Sequence, residues 1–141
     1  MRNLTPEQIQ EALLTETTGI FNNQSVLFAY LYGSYASGFV HPFSDIDIAI
    51  YVEDHALQNS LKIELSMSLQ IDRKLNCRAK SEVRIINNLP LTFKGKIVTE
   101  GIRIYSADEI KRVNFETFVL SAYFDFRPVI EEYQRTYFKS E

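Results

Sequence analysis

LYGSYASGFVHPFSDIDIAIY, residues 31–51, is the stretch whose reading decides the fold. Inside a run of Ile and Ala it sets two aspartates, Asp45 and Asp47, one residue apart. Residues 45–52, DIDIAIYV, otherwise read as a strand alternating with period two. Ile46, Ile48 and Ile50 fall on one face, and Asp45, Asp47, Ala49 and Tyr51 on the other. Two like charges on such a strand are unfavourable unless something positive neutralises them. The two side chains point the same way, roughly 7 Å apart along the chain. Both can therefore reach one divalent cation, or a pair of cations about 4 Å apart. Hard oxygen ligands suit Mg2+ or Mn2+, and Mg2+ usually arrives with substrate phosphates.

Upstream, VLFAYLY (Val26–Tyr32) reads as a buried strand that runs straight into the sharp turn GSYASG. Gly33 lets the backbone come close to a ligand, and Ser34 offers a hydroxyl and an N–H. Amides at a strand-to-helix turn favour phosphate. A third carboxylate, Glu82, lies on a later strand, EVRII (Glu82–Ile86), which puts Glu82, Arg84 and Ile86 on one face. Phosphate donors beside a carboxylate metal site on adjacent strands describe a nucleoside triphosphate site. A lone D-x-D or a lone G-S is weak. Their order, strand, G-S, ten residues, D-x-D, strand, is specific.

The remaining chain supplies an α/β framework. Thr5–Gln8, TPEQ, has the pattern of a capping box with proline in the first turn, so a helix is expected to about Thr18, broken by GIFNNQS. A second helix is expected over about Ala56–Leu75, and a third from Pro90 to a close at Gly101. IRIY (Ile102–Tyr105) reads as a fourth strand, and Ser106 with Glu109 as a capping box for a final helix over about 107–138, kinked or split at Pro128. The expected architecture is a small mixed β-sheet of about four strands flanked by helices, forming a single domain over 1–141. On the last helix, Val119, Ala122, Phe126, Val129, Ile130 and Tyr133 recur at helical spacing and are expected to pack on the sheet. Phe124, Tyr137 and Phe138 fall elsewhere around it, as a surplus suited to a partner.

Composition narrows the classes. With 45% hydrophobic and 13% aromatic residues among 141, the chain builds a core without disulfides, and its single cysteine, Cys77, reads as a small half-buried residue. A net charge of −3 gives no basic footprint for direct nucleic-acid binding. The start lacks a signal-peptide pattern and no apolar run spans a membrane, so a cytoplasmic protein is expected. His41 and His55 have no His or Cys partner at ligand spacing and read as surface residues.

On Gly33, Ser34, Asp45 and Asp47, with Ala36, Gly38, Ser44 and the apolar strand around them, the chain resembles the DNA polymerase β-type nucleotidyltransferases, and most of all the minimal nucleotidyltransferase (MNT) branch. The segments EVRIINNLPLTFKGKIVTEGIRIYS and VNFETFVLSAYFDFRPVIEEY extend the resemblance over roughly 26–133. It implies a polymerase β-like palm. It implies ATP bound at Gly33, Ser34 and Ser44, and two Mg2+ ions, with Mn2+ as a substitute, held by Asp45, Asp47 and Glu82. Glu82 stands where the family usually has aspartate, and its extra methylene moves the oxygens outward. The branch resembles antitoxins paired with HEPN-domain ribonuclease toxins. That implies a hetero-oligomer in which AMP moves from ATP to a tyrosine of the toxin. Three rival readings are an MNT module that inhibits by binding alone, a nucleotidyltransferase acting on a small, aminoglycoside-like molecule, and a purely structural subunit.

Overall fold

The computed structural model describes residues 4–22, 25–40 and 44–137. His41, given a surface reading from sequence, and Phe138, at the expected end of the last helix, lie outside these. Four strands form one sheet in the order β3-β2-β1-β4, with β1 Val26–Tyr32, β2 Ile46–Val52, β3 Ser81–Ile85 and β4 Ile102–Ser106. β1 lies antiparallel to β2 and β4, while β2 and β3 run parallel, so the sheet is mixed as expected.

Period-two alternation on β2 does what the sequence pattern requires. Ile46, Ile48 and Ile50 are fully buried on one face, with Ala29 and Leu31 of β1 and Val83 and Ile85 of β3 in the same core. Helices α1 (Pro6–Glu16), α2 (Thr18–Asn22) and α4 (Ser60–Lys74) close this side. The capping box at Thr5 and Gln8 is present. GIF, however, does not end the helical region. After Thr17 the chain re-enters helix as α2, because Ile20 and Phe21 are drawn into the core and outweigh the low helix propensity of Gly19. The helix expected from Ala56 begins instead with a 3-10 turn, Asp54–Asn59. The opposite face packs Phe28, Tyr30, Ala49 and Ile86 under α5 (Leu91–Glu100) and α6 (Glu109–Tyr137).

β3 is an edge strand, and α4 seals it. Glu64, Ser68 and Asp72, one helical turn apart, accept hydrogen bonds from the N–H groups of Ile85, Val83 and Ser81 at 2.8, 3.2 and 2.8 Å. The groups that would otherwise recruit another strand are thus satisfied by side chains.

Four further expectations need correction. Ser106 does hydrogen-bond Glu109, but Asp108 caps α6, its carboxylate accepting from the Lys111 N–H at 3.0 Å. Pro128 does not split the helix. The Phe124 carbonyl it leaves without a donor lies on an exposed segment that water can serve. And of the residues expected to pack on the sheet, Val119 is buried, Ala122 is half-buried, and Phe126, Val129 and Tyr133 are exposed, while the Ile130 side chain lies outside what the structure describes. The reason is length. A 29-residue helix is about 44 Å long, whereas strands of five to seven residues span only about 17–23 Å, so α6 outruns the sheet. Phe124 is exposed there too. Cys77 is exposed rather than half-buried, on a left-handed backbone after α4.

α5 and α6 meet at Gly95. A Cβ there would come within 2.2 Å of the Tyr123 ring, so the missing side chain is what lets the aromatic seat. Helix propensity alone makes Gly95→Ala stabilising by about 1 kcal/mol. The expected outcome is the reverse, a loss of about 1–3 kcal/mol in urea unfolding, because the ring must move out of a packed contact.

Candidate active site

The site is a row across the sheet. Tyr32 of β1 pairs with Asp47 of β2, and Asp47 pairs with Glu82 of β3, so three side chains stand side by side on one face. Asp45 lies just before β2, on the same face as Asp47. The antiparallel β1–β2 register also delivers Gly33 onto Asp47. Gly33 has a φ of +76°, and a Cβ on it would lie 2.3 Å from Asp47 Oδ2. Only glycine fits, both for the left-handed backbone and for the carboxylate pressed against it. The turn then tightens into α3 (Ser34–Ser37), closed by Gly38 at a φ of +89°. Ser34 is half-buried, as is Ser44, which directly precedes Asp45.

Electrostatics mark Asp47 as the centre. Burial holds its carboxyl above the ordinary aspartate range, and the charges of Glu82 and Asp45 push it the same way, with Arg84 in partial opposition. Burial, followed by the Asp47 charge, lifts the Tyr32 phenol to about 12, so it stays protonated at neutral pH. Glu82 is exposed and pairs with Arg84 at 3.4 Å, while the Arg84 guanidinium lies 5.8 Å from the centre of the Phe93 ring. Among the described residues no three His, Cys, Asp or Glu side chains gather closely enough to hold a metal ion. The donor chemistry nevertheless fits a hard cation. The set is all carboxylate, its members are close enough to raise Asp47, and the half-exposed Glu82–Arg84 pair is worth under about 1 kcal/mol, so Glu82 is cheaply freed.

Sequence reasoning placed Gly33, Ser34, Asp45, Asp47 and Glu82 together, and the fold brings them together. It missed Tyr32, Phe93 and Lys96, which with Gly33 line a cavity of about 350 Å3 between β1 and α5. Tyr32 carried a signal, as the residue before the glycine turn. Phe93 and Lys96 carried none, because only the packing of α5 brings them there.

Residues 15–110 match the family model for polymerase beta nucleotidyltransferases. The chain belongs to that family. As a nucleotidyltransferase fold it is similar to a chain of a toxin–antitoxin complex crystallised with AMP-PNP, with a TM-score of 0.61 at 16% identity over 89% of this chain and 98% of the other. It is also similar to a chain of the complex between a tri-AMPylated Shewanella oneidensis HEPN toxin and an MNT antitoxin, with a TM-score of 0.58 at 15% identity over the same shares. At such identities the likeness is one of fold. No curated protein matches the sequence.

Asp47 gives a pH prediction whose sign is fixed by its raised carboxyl. The fold prefers the protonated form, so stability falls as pH climbs from the ordinary aspartate range through the raised value. At pH 7 in EDTA, Asp47→Asn should therefore melt above the wild type by about 2–4 °C, a modest gain because the site is partly wet. The gain should vanish below about pH 4, where the wild-type carboxyl is protonated in both states. A melting scan of both proteins across pH checks it, and a gain that grows in acid would refute it.

Proposed function

We propose that this nucleotidyltransferase is the antitoxin of a HEPN-type toxin and transfers AMP from ATP to a tyrosine hydroxyl of that toxin. The observation that carries the reading is the Gly33–Asp47 contact within the Tyr32–Asp47–Glu82 row, which sets a glycine–serine turn directly against clustered carboxylates. Terminal phosphates of ATP lie against Gly33 and Ser34, with Ser44 at the edge of the site. Asp45, Asp47 and Glu82 would hold two Mg2+ ions, or Mn2+ in their place, which supply charge for the leaving pyrophosphate and activation of the attacking hydroxyl. The acceptor oxygen bonds to the α-phosphorus in line, and the bond to the bridging oxygen breaks. Positioning and charge neutralisation carry most of such a transfer.

A protein acceptor is supported by the surface beside the site. Leu61, Leu65 and Leu69 recur every turn of α4 and are 68%, 59% and 57% exposed. They line a groove of about 730 Å3 whose lining also includes Asp45 and Glu82. Two turns of exposed leucine leading to a reactive centre suit a protein and exceed what a small acceptor needs. The neighbouring complexes with AMP-PNP and with an AMPylated toxin are consistent with the same chemistry. Glu82, exposed and standing where the family usually has aspartate, favours a second reading, a module that silences its partner by binding alone.

The experiment is incubation with labelled ATP, Mg2+ and the product of the adjacent gene. Label on that protein, lost with Asp45→Ala, supports transfer, while tight binding without label supports the binding module. Transfer to an aminoglycoside alone supports the small-molecule reading. If Glu82 is a metal ligand, Glu82→Gln should lower transfer at least about 100-fold and Glu82→Asp much less, since charge matters more than reach. Equal rates in wild type and Glu82→Gln would make Glu82 a bystander.

The groove makes a separate prediction. Leu65→Asp should weaken co-purification with the partner by about tenfold or more while leaving the melting temperature within about 2 °C, because the side chain is already exposed. Undiminished capture would remove this face from the interface.

A further inference from the structure

We propose that Lys96 is the side-chain cation that holds the terminal phosphates of the nucleoside triphosphate. This rests on the nucleotidyl-transfer reading above and adds a binding residue that the glycine–serine and carboxylate motifs do not contain. Gly33 and Ser37, at the two ends of the turn around α3, line the same 350 Å3 cavity as Lys96 of α5. The volume lies at the small end of ligand pockets. Tyr32, Phe93 and Ile97 form its other walls, so much of the lining is apolar, while Lys96 itself is exposed and free to swing toward an anion bound there.

The carboxylate side of the site has its own counter-charge in Arg84, which is committed to Glu82 and lies over Phe93. Lys96 is differently placed. It makes no ion pair among the described residues, not even with Glu100 one turn on, which lines the same cavity. An ammonium on a flexible stem beside the glycine turn suits a phosphate as a point charge. A triphosphate carries more negative charge than a monophosphate, and the excess lies on the β- and γ-groups. Lys96 therefore discriminates ATP from AMP.

Calorimetric binding of ATP and of AMP to the full chain in Mg2+ tests this, with melting curves of each variant. Lys96→Met keeps the apolar stem and removes the charge, and Lys96→Arg keeps the charge. The expected result is that Lys96→Met weakens ATP binding by about tenfold or more and leaves AMP binding and melting unchanged, with Lys96→Arg retaining most of the ATP affinity. Wild-type ATP affinity in Lys96→Met overturns the assignment alone, and so does an equal loss for ATP and AMP. A wild type that binds neither nucleotide overturns the transfer reading and this assignment with it.

Discussion

Asp47 must stand against a backbone that has no side chain, between two other carboxylates, and this contact governs the rest of the site. It requires that β1 and β2 pair antiparallel in one register, since a one-residue slip would turn Asp47 into the isoleucine core. It requires a left-handed glycine at 33. It also requires a parallel β3 to bring Glu82 alongside. None of this is favourable locally, because the carboxyl is pushed away from its charged form. The opposite face of the same strand supplies the compensation, with Ile46, Ile48 and Ile50 fully buried. One strand thus carries fully buried isoleucines on one face and a carboxyl pushed away from its charged form on the other.

The parallel β3 brings an edge with it, and α4 is the answer to that edge. Its Glu64, Ser68 and Asp72 are occupied with strand N–H groups, so their polar capacity is turned inward. The next row of the same helix is Leu61, Leu65 and Leu69, which stays in water. A single helix therefore seals the edge against strand addition and offers an apolar stripe at the mouth of the site. Asp45 and Glu82 line the same groove, so whatever covers the stripe is held next to the carboxylates.

Sequence alone made the local chemistry legible. The turn, the two aspartates, the alternation of β2 and the four-strand mixed sheet all follow from residues close together in the chain. What was not legible depends on long-range packing. GIF becomes α2 because Phe21 finds a buried place beside Tyr105, 5.2 Å between ring centres. Lys96 lines the cavity beside Gly33 only because α5 packs against β1. Helical spacing on α6 pointed to a buried stripe, yet periodicity carries no information on where the sheet stops, and beyond Val119 the large apolar residues described stand mostly in water.

Arg84 links the two halves of this picture. It shares a strand face with Glu82, opposes the raised carboxyl of Asp47, and lies over Phe93, which with Lys96 lines the cavity beside the glycine turn. Three carboxylates against one guanidinium leave a net negative centre, so the folded chain holds its charges short of neutrality. Its pair with Glu82 is long and half in water, and weak pairs of this kind yield to a stronger cation at little expense. The cation–π contact does not involve Glu82, so it remains available to the guanidinium when that carboxylate turns away. The arrangement thus combines a carboxylate free to reorient with a positive group that touches both the acidic centre, through Glu82, and a wall of the cavity beside the glycine turn, through Phe93.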